Sequence, residues 1–172
     1  MIISRGRRYI FVHIPKTGGT ALSLALEARA MKDDILIGDT PKAVKRRRRL
    51  NGIKTAGRLW KHSTLADIDG LVSLDELDTM FLFTLVRNPW DRMVSYYHWL
   101  KVQDFDHPAV DLARRSGFAA FLAHPHTQTT VAAAPYGSYL IDAAGVERAA
   151  HFIRLEHLAE DLQAVEAHLG YR

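Results

Sequence analysis

The first hydrophobic run, Arg8-Tyr-Ile-Phe-Val-His13, is apolar, rich in β-branched and aromatic side chains, and of strand length; it passes through Pro15-Lys-Thr-Gly-Gly-Thr20 into residues that favour helix. From Thr20 to about Met31 the positions are apolar nearly all round, with Ser23 and Glu27 marking one polar stripe, the pattern of a helix packed on a sheet. A second continuous run, Met80-Phe-Leu-Phe-Thr-Leu-Val86, reads as a central parallel strand covered on both faces. It ends in Arg87-Asn-Pro-Trp90, a turn into a helix. There Trp90, Met93, Val94 and Tyr97, spaced i, i+3, i+4 and i+7, are the predicted buried face, with Asp91, Arg92 and Ser95 opposite. Ser63 or Thr64, and the capping-box pattern Ser73-Leu-Asp-Glu76, mark starts of short helices in between. Helical patterns follow at 110–115 and 118–123, then looser sequence to Gly137, a short strand at 151–155, and a last helix with Leu158, Leu162, Val165 and Leu169 on one face. Strand, turn and helix recurring in this order predict an α/β fold with right-handed crossovers.

A length of 172 residues suits one domain, 1–172, able to bury about 70% of the surface its unfolded chain exposes. The hydrophobic share of 48% and charged share of 24% argue against disordered, fibrous and membrane classes. With no cysteine, disulfide and thiolate chemistry are excluded. The apolar stretch behind Arg5, Arg7 and Arg8 is too short for a signal peptide, and no run approaches the roughly 18 apolar residues that span a bilayer, so a cytoplasmic location is expected. The net charge of +4 favours anionic partners. Its densest cluster, Lys45-Arg-Arg-Arg-Arg49, lies in a segment at 33–61 with little apolar periodicity, read as a mobile basic insertion, loop or short irregular helix. The run reads as a solvated flank, as a funnel for an anionic acceptor, or as a nucleic-acid or membrane contact. No aromatic residues interleave with it, and no nucleic-acid partner is expected.

The turn at 15–20 sits where open α/β folds bind ligands, beyond the carboxyl end of a strand and at a helix N-terminus with unpaired N–H groups. Two glycines let the backbone curl its amides inward, Thr17 and Thr20 add hydroxyls, and Lys16 brings a mobile charge. This is a cradle for a phosphate-type anion, with a close-packed turn free of ligand as the alternative. The Walker order is absent, because Lys16 precedes Gly18 and Gly19. Arg87, at the end of the predicted strand, and Ser95, on the polar side of the following helix, form a second candidate anion site. Alone they read as a surface arginine and an ordinary helix serine; taken with the cradle, they imply a nucleoside carrying phosphates at both ends. His107 and the pair His124 and His126 lack the spacing and acidic partners of a zinc site, so no metal is expected.

These motifs resemble a known family. "HIPKTGGTAL" is similar to the 5′-phosphosulfate motif, and "FTLVRNPWDRMVSYY" to the 3′-phosphate motif, of sulfotransferases that use 3′-phosphoadenosine 5′-phosphosulfate (PAPS). The likeness is to the branch holding the carbohydrate sulfotransferases and small bacterial relatives; "KHSTLADI" and "FIRLEHLAEDL" resemble its later segments. The resemblance implies a P-loop-type three-layer fold with a mainly parallel central sheet flanked by helices. It also implies that Lys16, Thr17, Gly18, Gly19 and Thr20 hold the 5′-phosphosulfate and that Arg87 and Ser95 hold the 3′-phosphate. PAPS is then the co-substrate, without a metal, and the sulfonate goes to an unidentified hydroxyl acceptor; the basic run at 45–49 points to an anionic carbohydrate or glycolipid. Lys16 is expected to neutralise the bridging oxygen as the leaving group departs. His62 is the candidate base, since an imidazole titrates near neutral pH and lies in the segment where this branch keeps its catalytic histidine. Arg154 and Glu156 match the family pattern as sheet-edge anchors, and His13 either orients Lys16 or fills space. The family's chains continue past the last helix, whereas this one stops at Gly170-Tyr-Arg172, so a C-terminal part of the family domain is expected to be missing. A non-catalytic nucleotide-binding module and a P-loop kinase acting on a small molecule with Mg²⁺ are the alternatives.

Overall fold

Ile2–Ser4 (β1) and Tyr9–Val12 (β2) form an antiparallel hairpin in which Ile3 faces Ile10. The computed structural model describes residues 1–170 and extends this hairpin into a five-stranded sheet of order β3-β1-β2-β4-β5. Here β3 is Ile35–Leu36, β4 is Phe81–Val86 and β5 is His151–Arg154. β4 runs parallel to both β2 and β5, and β3 is antiparallel to β1. Four strands therefore share one direction and β1 alone opposes them. The mainly parallel α/β sheet expected from the sequence is present, with β4 in the predicted interior place. The predicted first strand is in fact the second. Three residues of β1 are too few to display a period of two, and only pairing with β2 reveals them.

Alternation across the strands builds two cores. Ile3, Ile10, Val12 and Leu82 point to one face, where Leu65, Ile68 and Leu77 cover them. Ile2, Tyr9, Phe11, Phe83 and Leu85 point to the other, under helices Gly19–Ala28 (α1) and Leu158–Leu169 (α8), which bring Leu26 and Val165. At the edge of the sheet Arg154 forks onto the Asp161 carboxylate at 2.8 and 2.7 Å, and His151 Nε2 donates to the Asp161 carbonyl at 2.7 Å, tying β5 to α8.

In α1 the polarity is reversed from the sequence reading. Ser23 and Glu27 are buried while Leu24 is 50% exposed. A helix apolar nearly all round gives no clear direction, and the buried Glu27 carboxylate fixes it by accepting the Thr40 hydroxyl at 2.8 Å. Thr40 also caps Pro41–Arg46 (α2) through the Ala43 N–H. Residues 33–61 thus hold β3, α2 and a 3₁₀ turn, Arg47–Leu50. The basic run is partly structural: Arg46 donates to the Met31 and Asp34 carbonyls at 2.8 and 3.1 Å, and Arg49 to that of Lys32. Ser73 caps Leu74–Leu77 (α3) as its capping box predicts.

By contact the chain divides into two units, Met1–Val86 with the residues from Tyr136 onward, and Arg87–Pro135. The second is helical: Pro89–Lys101 (α4), Pro108–Arg115 (α5), Phe118–Ala123 (α6) and Pro125–Ala132 (α7), the last lying in the stretch that read as loose. Its core gathers Tyr97, Leu100, Val110, Ala113 and Phe121, and Tyr97 Oη donates to the Ser116 carbonyl at 2.7 Å. Trp90, predicted to be core, is 69% exposed, and Val94 is exposed too. The stripe that α5 and α6 cover passes through Met93, Tyr97 and Leu100, so the helix is rotated by about one position from its predicted orientation. Tyr171 and Arg172, where the sequence reading has the chain stop short, lie outside the described residues. Among the described residues no helix is long and apolar enough to cross a membrane.

Candidate active site

Beyond the carboxyl end of β2 the chain turns sharply into α1, and the turn requires unusual backbone. Lys16 has φ 66° and Gly18, the N-cap, φ 89°, both in the left-handed region. Gly18 accepts this at no steric cost; Lys16 holds it under a strain of roughly 1–3 kcal/mol. The side chain of Thr17 is buried and donates from Oγ1 to the Ile14 carbonyl at 2.9 Å, so this hydroxyl closes the turn from inside. Thr20 is exposed on the first turn of α1, where helix N–H groups have no intrahelical acceptor and carry positive partial charge.

Gly19 is glycine for a different reason. The imidazole of His13 stacks on Phe11 and fills the place of a side chain there: a Cβ on Gly19 would lie 2.2 Å from His13 Cδ2. The His62 ring meets that of His13 edge to face at 4.6 Å, and Trp60 meets His62 at 5.0 Å and 89°. His62 Nδ1 donates to the His13 carbonyl at 2.7 Å. A carbonyl can only accept, so the neutral His62 carries its proton on Nδ1 and leaves Nε2 with its lone pair. The fold thus joins Gly19, His13, His62 and Trp60 in an unbroken line of contacts.

This burial changes the electrostatics expected from the sequence. Desolvation pushes His13 down to about 3, with the neighbouring Met1 ammonium, His62 and Lys61 acting the same way. Desolvation likewise pushes His62 down to about 4, against the raising effect of its hydrogen bond to His13. The expectation that His62 titrates near neutral pH is therefore overturned, and its imidazole is neutral throughout the physiological range.

Lys16, Thr17, Gly18, Gly19, Thr20 and His62 all lie in the first unit; Arg87 and Ser95 lie in the second. Arg87 follows the last residue of β4, and Asn88 caps α4 by accepting the Trp90 N–H at 3.0 Å. Ser95 is half-buried on the second turn of that helix. Sequence reasoning left His13 between orienting Lys16 and filling space, and the structure has it filling the space beside Gly19; the part played by Trp60 was missed. The alternation of β2 sets His13 on the Phe11 side of the strand, a usable signal, whereas nothing in the sequence places Trp60. Among the described residues no cluster of His, Asp or Glu is arranged to hold a metal ion.

A model of the sulfotransferase family matches residues 1–134, which include both candidate anion motifs and His62. The chain belongs to the sulfotransferase family. No curated protein matches it. Among solved structures it is similar to mouse sulfotransferase SULT7A1 complexed with PAP, with 22% identity and a TM-score of 0.49 over 99% of this chain. It spans 60% of the length of that sulfotransferase.

Proposed function

We propose that the chain transfers a sulfonate group from PAPS to an acceptor hydroxyl on a carbohydrate or glycolipid. The observation that carries this is the turn at 15–20: a helix N-terminus opened by left-handed Lys16 and Gly18, with His62 adjacent through His13. Backbone N–H groups and the Lys16 ammonium suit the 5′-phosphosulfate, and Arg87 and Ser95 are assigned the 3′-phosphate. In the reaction His62 Nε2 takes the acceptor proton, the acceptor oxygen bonds to sulfur, and the bond from sulfur to the bridging phosphate oxygen breaks. The electron pair leaves on 3′-phosphoadenosine 5′-phosphate (PAP), where Lys16 stabilises it, and the proton remains on His62 until solvent removes it. Like phosphoryl transfer, such a displacement draws its rate from positioning and charge stabilisation.

Calorimetric titration with PAP, AMP and ATP, with and without Mg²⁺, tests the reading. PAP binding that needs no metal and is at least tenfold tighter than AMP is the expected result. Binding of ATP that depends on Mg²⁺, with no preference for a 3′-phosphate, overturns the reading in favour of a kinase.

A further inference from the structure

We infer that the turn at 31–34 and the outer side of α2 with its 3₁₀ extension form one cationic surface, and that this surface docks the chain on an anionic lipid bilayer. It stands apart from the sulfonate chemistry. α1 begins at the turn that cradles the anion and ends at Ala28, just before Met31, so a helix of 10 residues, about 15 Å long, lies between them.

The charges are placed but not neutralised. Arg46 donates to the Met31 and Asp34 carbonyls at 2.8 and 3.1 Å, and Arg49 to that of Lys32, so the two segments are stitched side by side. A carbonyl oxygen orients a guanidinium without cancelling its charge. Among the described residues, Lys32, Lys45, Arg46, Arg48 and Arg49 have no carboxylate within ion-pair distance. Asp34 is buried and accepts the Met31 N–H at 2.7 Å, which leaves Asp33 as the one exposed acid of the two segments. Arg47 lies outside the patch, at the Gly38 carbonyl 3.5 Å away.

Apolar neighbours decide the kind of anion. Met31 is 42% exposed and Val44 49%. A Cβ on Gly6 would lie 2.7 Å from Met31 Sδ, so this glycine leaves room for the thioether beside the turn of the β1–β2 hairpin. Exposed aliphatic side chains ringed by lysine and arginine suit a leaflet, where the charges meet headgroups and the apolar tips reach the acyl boundary. Each basic residue near an anionic leaflet contributes roughly fivefold in partitioning. A nucleic acid favours aromatic rings on which bases stack, and neither segment has one.

Co-sedimentation of the full chain with vesicles tests this, using phosphatidylcholine alone or with about one-third phosphatidylglycerol. The expected result is binding to the mixed vesicles at least about tenfold tighter, lost between about 0.1 and 1 M salt as the Debye length shrinks from about 10 to 3 Å. Lys45→Glu/Arg48→Glu leaves the Arg46 and Arg49 bonds in place and is expected to weaken partitioning by roughly 25-fold or more. Met31→Ser/Val44→Ser is expected to weaken it by roughly threefold or more at unchanged charge. Equal binding to both vesicle types, no binding, or binding unchanged in either variant overturns the inference. A labelled DNA duplex bound more tightly than the mixed vesicles also overturns it and assigns the surface to nucleic acid. PAP affinity is expected to be unchanged in the charge-reversed variant, and its loss there overturns the separation of the two surfaces. Vesicle binding that follows the expected pattern in a chain that fails to bind PAP removes the donor reading and keeps the membrane surface.

Discussion

The imidazole of His13 stands where any side chain on Gly19 would have to go, 2.2 Å from an added Cβ. The first residue of α1 and the residue just after β2 are thus fitted to each other, and His13 in turn holds His62 through its carbonyl. Gly19→Ala is expected to destabilise the chain by about 1–3 kcal/mol, since either the histidine or the helix start must shift. Urea denaturation measures this, and PAP titration of the folded fraction is expected to show weakened binding.

His62 separates by substitution. Asn places an amide near the position of Nδ1 and can still donate to the His13 carbonyl, but it has no counterpart of Nε2. His62→Asn is therefore expected to keep its fold and its PAP affinity while transfer falls by roughly 10²–10⁴. Full activity in this variant would remove His62 as the base.

Two cations are expected to fail in different steps. Lys16→Ala lowers the rate of transfer by roughly 10²–10³ with a smaller effect on PAP affinity, because its charge acts on the departing oxygen. Arg87→Ala weakens PAP binding by roughly 1.5–3 kcal/mol and leaves AMP binding unchanged, because AMP lacks the 3′-phosphate. Single-turnover rates together with calorimetry distinguish the two patterns; equal loss of AMP and PAP in Arg87→Ala would overturn its assignment.

Acid is expected to destabilise the chain in a defined window. Unfolded, both imidazoles take up protons near 6.5; folded, His13 holds off to about 3 and His62 to about 4. The unfolded state binds more protons between those values, so the pair's contribution to stability is complete above pH 6.5 and falls as pH drops towards 4. The loss is on the order of a few kcal/mol for the pair. Thermal melts from pH 4 to 7 measure it, and His62→Asn should flatten the slope. The same shift moves the acidic limb of kcat/KM for PAPS, which reports the free enzyme, to about pH 4 in place of 6.5.

Long elements were legible because repeated burial on one face writes a repeated pattern. The run at 80–86 became β4, residues 118–123 became α6, and Leu162, Val165 and Leu169 do face the core from α8. Short or ambiguous elements were not. β1 and β3, of three and two residues, have no period of their own, and α7 is too polar to stand out. Ser23 and Glu27 misled because a polar stripe ordinarily faces water, whereas here Thr40, thirteen residues away from Glu27, supplies a buried partner.

For the site the division is similar. Sequence alone determined the order of parts: a strand, a Lys-Thr-Gly-Gly-Thr turn at its carboxyl end and a helix start, because glycine placement and apolar runs are local properties of a chain. Only the tertiary structure decided that His62, 49 residues from His13, donates to its carbonyl, that desolvation keeps the pair neutral, and that Trp60, in the wall of a cavity, meets the His62 ring. Burial and proximity between distant segments depend on how the sheet and the 33–61 segment pack together, and a linear pattern does not encode which residues will exclude water from each other.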